Sequence, residues 1–309
     1  MLQSGQIRLE SETRSYITES GLRSMCNSMQ LSGTLMTQDG LGLHLTRWEP
    51  DASSRAVVYL IHGLGDHSGR YTHVAEALSE ARISCWALDL RGHGKSDGAR
   101  GHTPSLGRLL DDVSLMVQEN TQAKPAFLYG HSLGAAIALE FGRLRPEGLS
   151  GVIGTGPWLR LRFSPPGYKL VLAKLLPKVI PALALPNGLD VDAISRDRTI
   201  VKSYVNDPLV HDRITTQLGA SMLSLGAELL AQAGTFHLPL LLIHGEADRL
   251  TDPSATRAFF EGAGSVDKTL KIWPGLFHEV HNEPEKAEVI SSIISWIEER
   301  IRTGPPSRF

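Results

Sequence analysis

The chain of 309 residues predicts an α/β fold, with a mostly parallel, eight-stranded sheet, helices on both faces and a helical insertion. Three observations carry that expectation. Short, continuously apolar runs recur along the chain, as strands buried on both faces require. Stretches with apolar residues at helical spacing alternate with them, and such alternation packs as a parallel sheet covered on both sides. The alternation breaks once, between about residues 157 and 236, and then resumes. A chain of this length can bury one large core or two ordinary domains, and no shift in composition divides it.

The elements follow in order. Residues 1–28 are polar, rich in Ser, Glu and Arg, and lack the apolar core and small-residue cleavage site of a signal peptide. They read as an N-terminal extension, and the default location is cytoplasmic. Met29 directly precedes the first strand-like segment, a position that also suits a translation start. Residues 33–37 and 43–48 alternate in polarity and meet through Asp39-Gly40, the pattern of an antiparallel hairpin. The buried strands are the apolar runs 56–61, 84–88, 126–129, 151–153 and 239–243, with 269–273 as the last strand. Helical patterns occupy 71–81, 106–119, 135–144, 254–260 and 286–301. Within the interruption, residues 168–185 are strongly apolar but broken by Lys174, Pro177, Lys178 and Pro181, which excludes a membrane-spanning helix. The expected arrangement is a core made of 29–156 and 237–303, with 157–236 as a cap over the carboxyl edge of the sheet.

Several function classes are excluded at this level. A formal net charge of −2 with interleaved charges leaves no electrostatic footprint for a nucleic acid. Cys26 and Cys85, the only cysteines, are too few for a disulfide framework or a cysteine metal cluster and read as free thiols. His62, His67, His73, His93 and His102 sit in glycine-rich turns without ligand-like helical spacing, so no metal is expected. Gly94-Lys95-Ser96 lacks the leading glycine of a phosphate loop, Asp89 standing in its place, and no nucleotide is expected.

The densest functional signal is Phe127-Leu128-Tyr129-Gly130-His131-Ser132-Leu133-Gly134-Ala135-Ala136. It sets a serine in a G-x-S-x-G pentapeptide between a strand and a helix start of small residues, the pattern of a nucleophile elbow. A serine hydroxyl is a poor nucleophile. It needs a sharp turn that exposes its oxygen, a base that takes its proton, and N–H donors for the oxyanion that follows. Catalytic groups of open α/β sheets lie beyond the carboxyl ends of strands, so the partners are sought at strand exits. After 56–61 comes His62-Gly63-Leu64-Gly65, whose Leu64 N–H pairs with that of Leu133 as a candidate oxyanion hole. After 239–243 comes a loop with Asp248, and after 269–273 a loop with His278. The order Ser132, Asp248, His278 is the hydrolase order of serine, acid, histidine. His278 is expected as general base and acid and Asp248 as the group that orients it, with His281 as the competing base and Glu246 and Asp252 as competing acids. The exit after 151–153 reads Gly154-Thr155-Gly156-Pro157-Trp158 and offers no carboxylate.

Beyond these sites, the chain resembles α/β-hydrolases of the monoacylglycerol lipase and lysophospholipase type. The resemblance rests on the elbow, on His62-Gly63-Leu64-Gly65-Asp66-His67-Ser68-Gly69-Arg70-Tyr71, on Asp89-Leu90-Arg91-Gly92-His93-Gly94-Lys95-Ser96, on Ser195-Arg196-Asp197 with Asn206-Asp207-Pro208-Leu209, and on Asp267-Lys268-Thr269-Leu270-Lys271-Ile272. It runs from about residue 31 to 302. It implies a triad of Ser132, Asp248 and His278, oxyanion donors at Leu64 and Leu133, and polar contacts to a glycerol moiety from Asp66, Arg70 and His281. Asp66 is shorter than the glutamate common there. The expected activity is hydrolysis of monoacylglycerol to fatty acid and glycerol without a cofactor, the partner being a small lipid ester and the cap making transient peripheral contact with membranes. Lysophospholipase and general carboxylesterase activity are the alternatives, and a hydrolase-fold ligand receptor is the alternative of a different class.

Overall fold

The structure, a computed structural model, describes residues 10–11, 28–120, 124–162 and 175–303. Cys26, most of the expected extension and the first part of the apolar run at 168–185 lie outside the described residues. In chain order the strands are β1 (Glu10–Ser11), β2 (Ser28–Met36), β3 (Gly42–Pro50), β4 (Ala56–Ile61), β5 (Ile83–Leu88), β6 (Ala126–His131), β7 (Gly151–Thr155), β8 (Ala184–Pro186), β9 (Arg213–Thr215), β10 (Leu240–Gly245) and β11 (Lys268–Trp273). The helices are α1 (Thr72–Glu80), α2 (Leu106–Gln118), α3 (Leu133–Leu144), α4 (Arg198–Asn206), α5 (Thr216–Ala231), α6 (Pro253–Gly262) and α7 (Lys286–Thr303).

Among the described residues the main sheet has the order β1-β2-β3-β5-β4-β6-β7-β10-β11. From β5 to β11 every pairing is parallel, and β1, β2 and β3 add an antiparallel edge. This is one strand more than the sequence predicts. The extra one is β1, whose two residues pair with Leu31 and Ser32 and are too few to show any period. The hairpin between β2 and β3 turns at Gly40, whose φ of 83° suits a residue without a Cβ.

Why the central strands are apolar without alternation is visible in their packing. Val57, Tyr59 and Ile61 of β4 join one core cluster, while Ala56, Val58 and Leu60 join the other. β10 divides in the same way, with Leu240 and Leu242 facing one layer and Leu241 and Ile243 the other. Successive side chains point to opposite faces, so a strand covered on both sides needs an apolar residue at every position. Each such fully buried aliphatic side chain contributes about 1.5–3 kcal/mol. One layer is supplied by α2, α3, α5 and α6 through Leu109, Ile137, Met222 and Phe259. The other is supplied by α1 and α7 through Val74, Leu78, Ile293 and Trp296.

The segment between β7 and β10 divides into two parts. α5 belongs to the main core, where Leu218, Met222, Leu225 and Leu229 are buried with the helices of its layer. Other described residues of the segment meet the strand exits. β8 and β9 pair antiparallel, the His211 N–H donates to Gly65 O (3.0 Å), and Glu279 N–H donates to Ile194 O (2.8 Å). A short helical stretch at residues 175–179 leads into this region. Among the described residues no helix is long and apolar enough to cross a membrane.

Candidate active site

β4, β6, β10 and β11 run parallel, so their carboxyl ends share one rim of the sheet. Ser132 stands at the end of β6, in a backbone conformation (φ 54°, ψ −114°) that non-glycine residues avoid at a cost of about 1–3 kcal/mol. Its surroundings hold it there. Ser132 N–H donates to Thr155 O (2.9 Å), and its carbonyl accepts from the N–H groups of Ala135, Ala136 and Trp158. The two glycines of the pentapeptide permit the turn by absence. A Cβ on Gly130 would lie 2.2 Å from Gly134 O, and one on Gly134 would lie 2.2 Å from Ile61 O. No other residue fits either position.

Asp248 and His278 meet on the exits of β10 and β11. The Asp248 side chain is fully buried, and its Oδ1 accepts the N–H groups of Leu250 (2.7 Å) and Thr251 (3.1 Å). Its Oδ2 lies 2.7 Å from His278 Nδ1, 2.9 Å from His244 Nε2 and 2.8 Å from the Thr251 hydroxyl. Burial opposes the Asp248 charge, but His278 and His244 hold its carboxyl well below the usual range. Burial likewise opposes the His278 cation, yet Asp248 leaves its pKa above the ordinary imidazole value. A carboxylate partner makes Nδ1 the protonated nitrogen, so the Nε2 lone pair is free to accept a proton. The competing acids have other places. Glu246 is exposed, and Asp252 caps α6 by accepting from Ser254 N–H (2.8 Å), with Pro253 following.

Ser132 and His278 line one cavity of about 40 Å³. Apolar side chains from the exits and the insertion, among them Leu64, Trp158, Leu189, Ile194, Tyr204 and Leu250, form most of its wall. Gly63 brings the β4 exit against the elbow, a Cβ there lying 3.4 Å from Ser132 Cβ. Leu133 is the first residue of α3, where an N–H has no acceptor within the helix. Among the described residues neither its N–H nor that of Leu64 meets another acceptor.

The three expected head-group residues are not equivalent. Asp66 lines the cavity; Arg70 and His281 stand behind it. Arg70 donates to Asp66 Oδ1 (2.9 Å) and to both Glu279 oxygens (2.8 and 2.6 Å), and its guanidinium lies 4.7 Å from the Tyr204 ring centre. Asp66 Oδ2 accepts from the Tyr71 hydroxyl (2.8 Å). Burial raises the Asp66 pKa and Arg70, His62 and His67 lower it, with a net shift far below the usual range. His281 is fully buried, stacked on Tyr71 (4.7 Å) and edge-on to His131 (4.7 Å). Glu279, which the sequence pattern did not single out, reaches the cavity wall directly beside His278. Its adjacency to the histidine was the available signal. His244 and Thr251 carried none, because a strand residue and a loop threonine look the same whether or not they touch the acid. Asp89 and Arg91 hold loops: Asp89 accepts from Ser68 N–H (2.7 Å) and Lys95 N–H (2.9 Å), and Arg91 pairs with Asp112 and Asp39.

Known proteins similar to this chain place it in a family. Residues 52–285 match the family model of the serine aminopeptidases, S33. A monoacylglycerol lipase of Mycolicibacterium smegmatis is 36% identical over 254 residues, covering 81% of this chain and 90% of that protein. An abhydrolase domain-containing protein of Dictyostelium discoideum is 40% identical over 272 residues, covering 87% of this chain, which spans only 29% of that longer relative. The crystal structure of Paleococcus ferrophilus monoacylglycerol lipase superposes with a TM-score of 0.79 at 36% identity, covering 83% of this chain and 98% of that one. The chain belongs to the serine aminopeptidase S33 family, as a monoacylglycerol lipase-like α/β-hydrolase.

Proposed function

We propose that the chain is a carboxylic ester hydrolase that cleaves monoacylglycerol into fatty acid and glycerol through an acyl-enzyme. The observation that carries this reading is the 2.7 Å bond from His278 Nδ1 to the buried Asp248, with His278 and Ser132 together lining a cavity whose wall is mostly apolar. Ser132 Oγ attacks the ester carbonyl as His278 Nε2 takes its proton. The Leu64 and Leu133 N–H groups receive the oxyanion. His278 returns the proton to the leaving glycerol oxygen, and a water then attacks the acyl-enzyme by the same relay to release the acid. No cofactor enters these steps.

Substrate class follows from the wall. Leu189, Ile194, Tyr204 and Leu250 suit an acyl chain, and a cavity of about 40 Å³ holds only a few waters, so the chain enters as cap side chains give way. At the polar end Asp66 and Glu279 offer acceptors, and Arg70 bridges them, the one guanidinium that does so among the described residues. Two carboxylates against one guanidinium favour hydroxyl donors over a phosphate, which supports glycerol over a lysophospholipid head. In this reading residues 157–236 serve as the cap on a core of 29–156 and 237–303, with α5 of that insertion packed into the core layer. Exposed Leu175, Val179 and Ile180 on the cap support transient, peripheral contact with a lipid surface.

The test is a panel of monooleoylglycerol, lysophosphatidylcholine and p-nitrophenyl esters of rising chain length, with Ser132→Ala beside the native protein. Monooleoylglycerol should be the best substrate, and Ser132→Ala should lose both turnover and fluorophosphonate labelling while its thermal unfolding is preserved. Turnover or labelling that survives the substitution removes Ser132 from the mechanism. A preference for acetyl or butyryl esters removes the lipid assignment.

A further inference from the structure

Asp248 does not serve His278 alone. Its Oδ2 stands between two imidazoles, 2.7 Å from His278 Nδ1 and 2.9 Å from His244 Nε2, both fully or nearly fully buried. His244 is the penultimate residue of β10, and its other nitrogen, Nδ1, lies 2.8 Å from the hydroxyl of Thr256 on α6. That hydroxyl is fully buried. In the neutral ring one nitrogen donates and the other accepts. A lone pair on Nε2 would face the carboxylate and repel it, so Nε2 carries the hydrogen and Thr256 donates to Nδ1. The Thr256 hydroxyl therefore fixes the tautomer from the far side, much as a carboxylate fixes the ring of a metal-bound histidine.

We infer that His244 is a positioning residue of the proton relay, whose Nε2–H shares the Asp248 oxygen with His278 and limits how strongly that oxygen holds the His278 proton. The inference rests on the hydrolase reading above. An oxygen that already accepts from His244 and Thr251 has less charge left for a third donor, so the His278 cation is stabilised less than by an unshared carboxylate. The other charged or titratable groups around His278 come from different elements: His131 at the end of β6 (ring centres 4.7 Å apart), Asp66 after β4, and Glu279 next in the chain. None of them hydrogen-bonds to Asp248, so His244 is the neighbour that can be altered without touching the cavity wall.

The experiment is the pH dependence of kcat/KM on a soluble p-nitrophenyl ester for the native protein, His244→Leu, His244→Gln and Thr256→Val. With the sharing donor gone, His244→Leu should move the acid limb to higher pH by about half a unit or more. Gln can present an amide N–H at nearly the reach of Nε2 and should return the limb to its native position. Thr256→Val should move it in the same direction as Leu by less. An acid limb that stays fixed in all three variants, or a loss of rate equal at every pH, overturns the inference. If His244→Leu does not fold, the Gln and Val variants decide. The low-field proton resonance of His278 Nδ1–H, read without substrate, should move further downfield in Leu and Val and not in Gln; no movement also overturns the inference. A native protein without ester turnover would refute the hydrolase reading, and this resonance would still test the sharing of Asp248.

Discussion

Two buried carboxylates serve the same cavity and are held in opposite ways. Asp248 is bonded to His278, whose charge can change, to the His244 ring and to neutral N–H and O–H donors. Asp66 is bonded to Arg70, whose charge cannot change, with Tyr71 on its other oxygen. Both carboxyls are held below their usual range. In the proposed mechanism the first arrangement lets a proton come and go next to a steady negative charge. The second fixes a charge pattern and moves nothing. Low pKa alone therefore does not distinguish a relay from a scaffold; the identity of the partner does.

The largest effect expected from this contrast is on turnover. Asp248→Asn keeps the volume but presents an amide where His278 needs an anion, and kcat should fall about 10³–10⁴-fold. Asp66→Asn should act mainly on KM for monooleoylglycerol and leave kcat for a p-nitrophenyl ester within about tenfold. Steady-state kinetics on both substrates checks this. Equal losses of kcat in the two variants would erase the distinction between mobile and fixed charge.

The next effect is on stability, and it belongs to the fixed cluster. Arg70→Met leaves Asp66 and Glu279 buried without their cation, which should cost about 3–5 kcal/mol at neutral pH. The pH dependence has a definite sign. The Asp66 carboxyl is depressed in the folded state, so its contribution is complete above the unfolded value of about 3.9 and is lost as pH falls through the folded value. The gap between native protein and Arg70→Met should narrow on acidification, starting where the variant's Asp66, its pKa raised by burial without the cation, takes up a proton. Urea unfolding across that range measures it. A gap that is constant with pH would mean that Arg70 acts through packing on Tyr204 and not through its charge.

The difference between the two clusters also marks what could be read from the sequence. Fold class, strand order along the chain and the three strand exits bearing Ser132, Asp248 and His278 were legible, because each depends on local apolar period or on glycine spacing. β1 was not, since two residues show no period. α5 lies inside the interruption and so reads as part of the cap, yet Met222 and Leu229 bury it in the main core. His281 and Arg70 were expected at the head group, but their places are set by contacts with Tyr71, His131 and Glu279 from separate elements. His244 and Thr256 are twelve residues apart on a strand and a helix, and only packing of α6 on β10 joins them. Chemistry that sits on a turn was visible; chemistry made by packing was not.

The smallest effect concerns the cap, where the molecule shows apolar side chains outward. Leu175 is 55% exposed and Val179 77%, and in the helical stretch 175–179 residues four apart share a face. Replacing both with Ser removes aliphatic surface that, fully buried, is worth about 1.5–3 kcal/mol per side chain; at a lipid interface only part is realised. Binding to phosphatidylcholine vesicles in a flotation assay should weaken about tenfold. Hydrolysis of a soluble short ester should not change, because neither side chain lines the cavity. Unchanged vesicle binding would confine the apolar face to holding the cap together. A parallel loss of soluble-ester turnover would tie it to the catalytic rim, and the contrast between the rim and its cover would have to be redrawn.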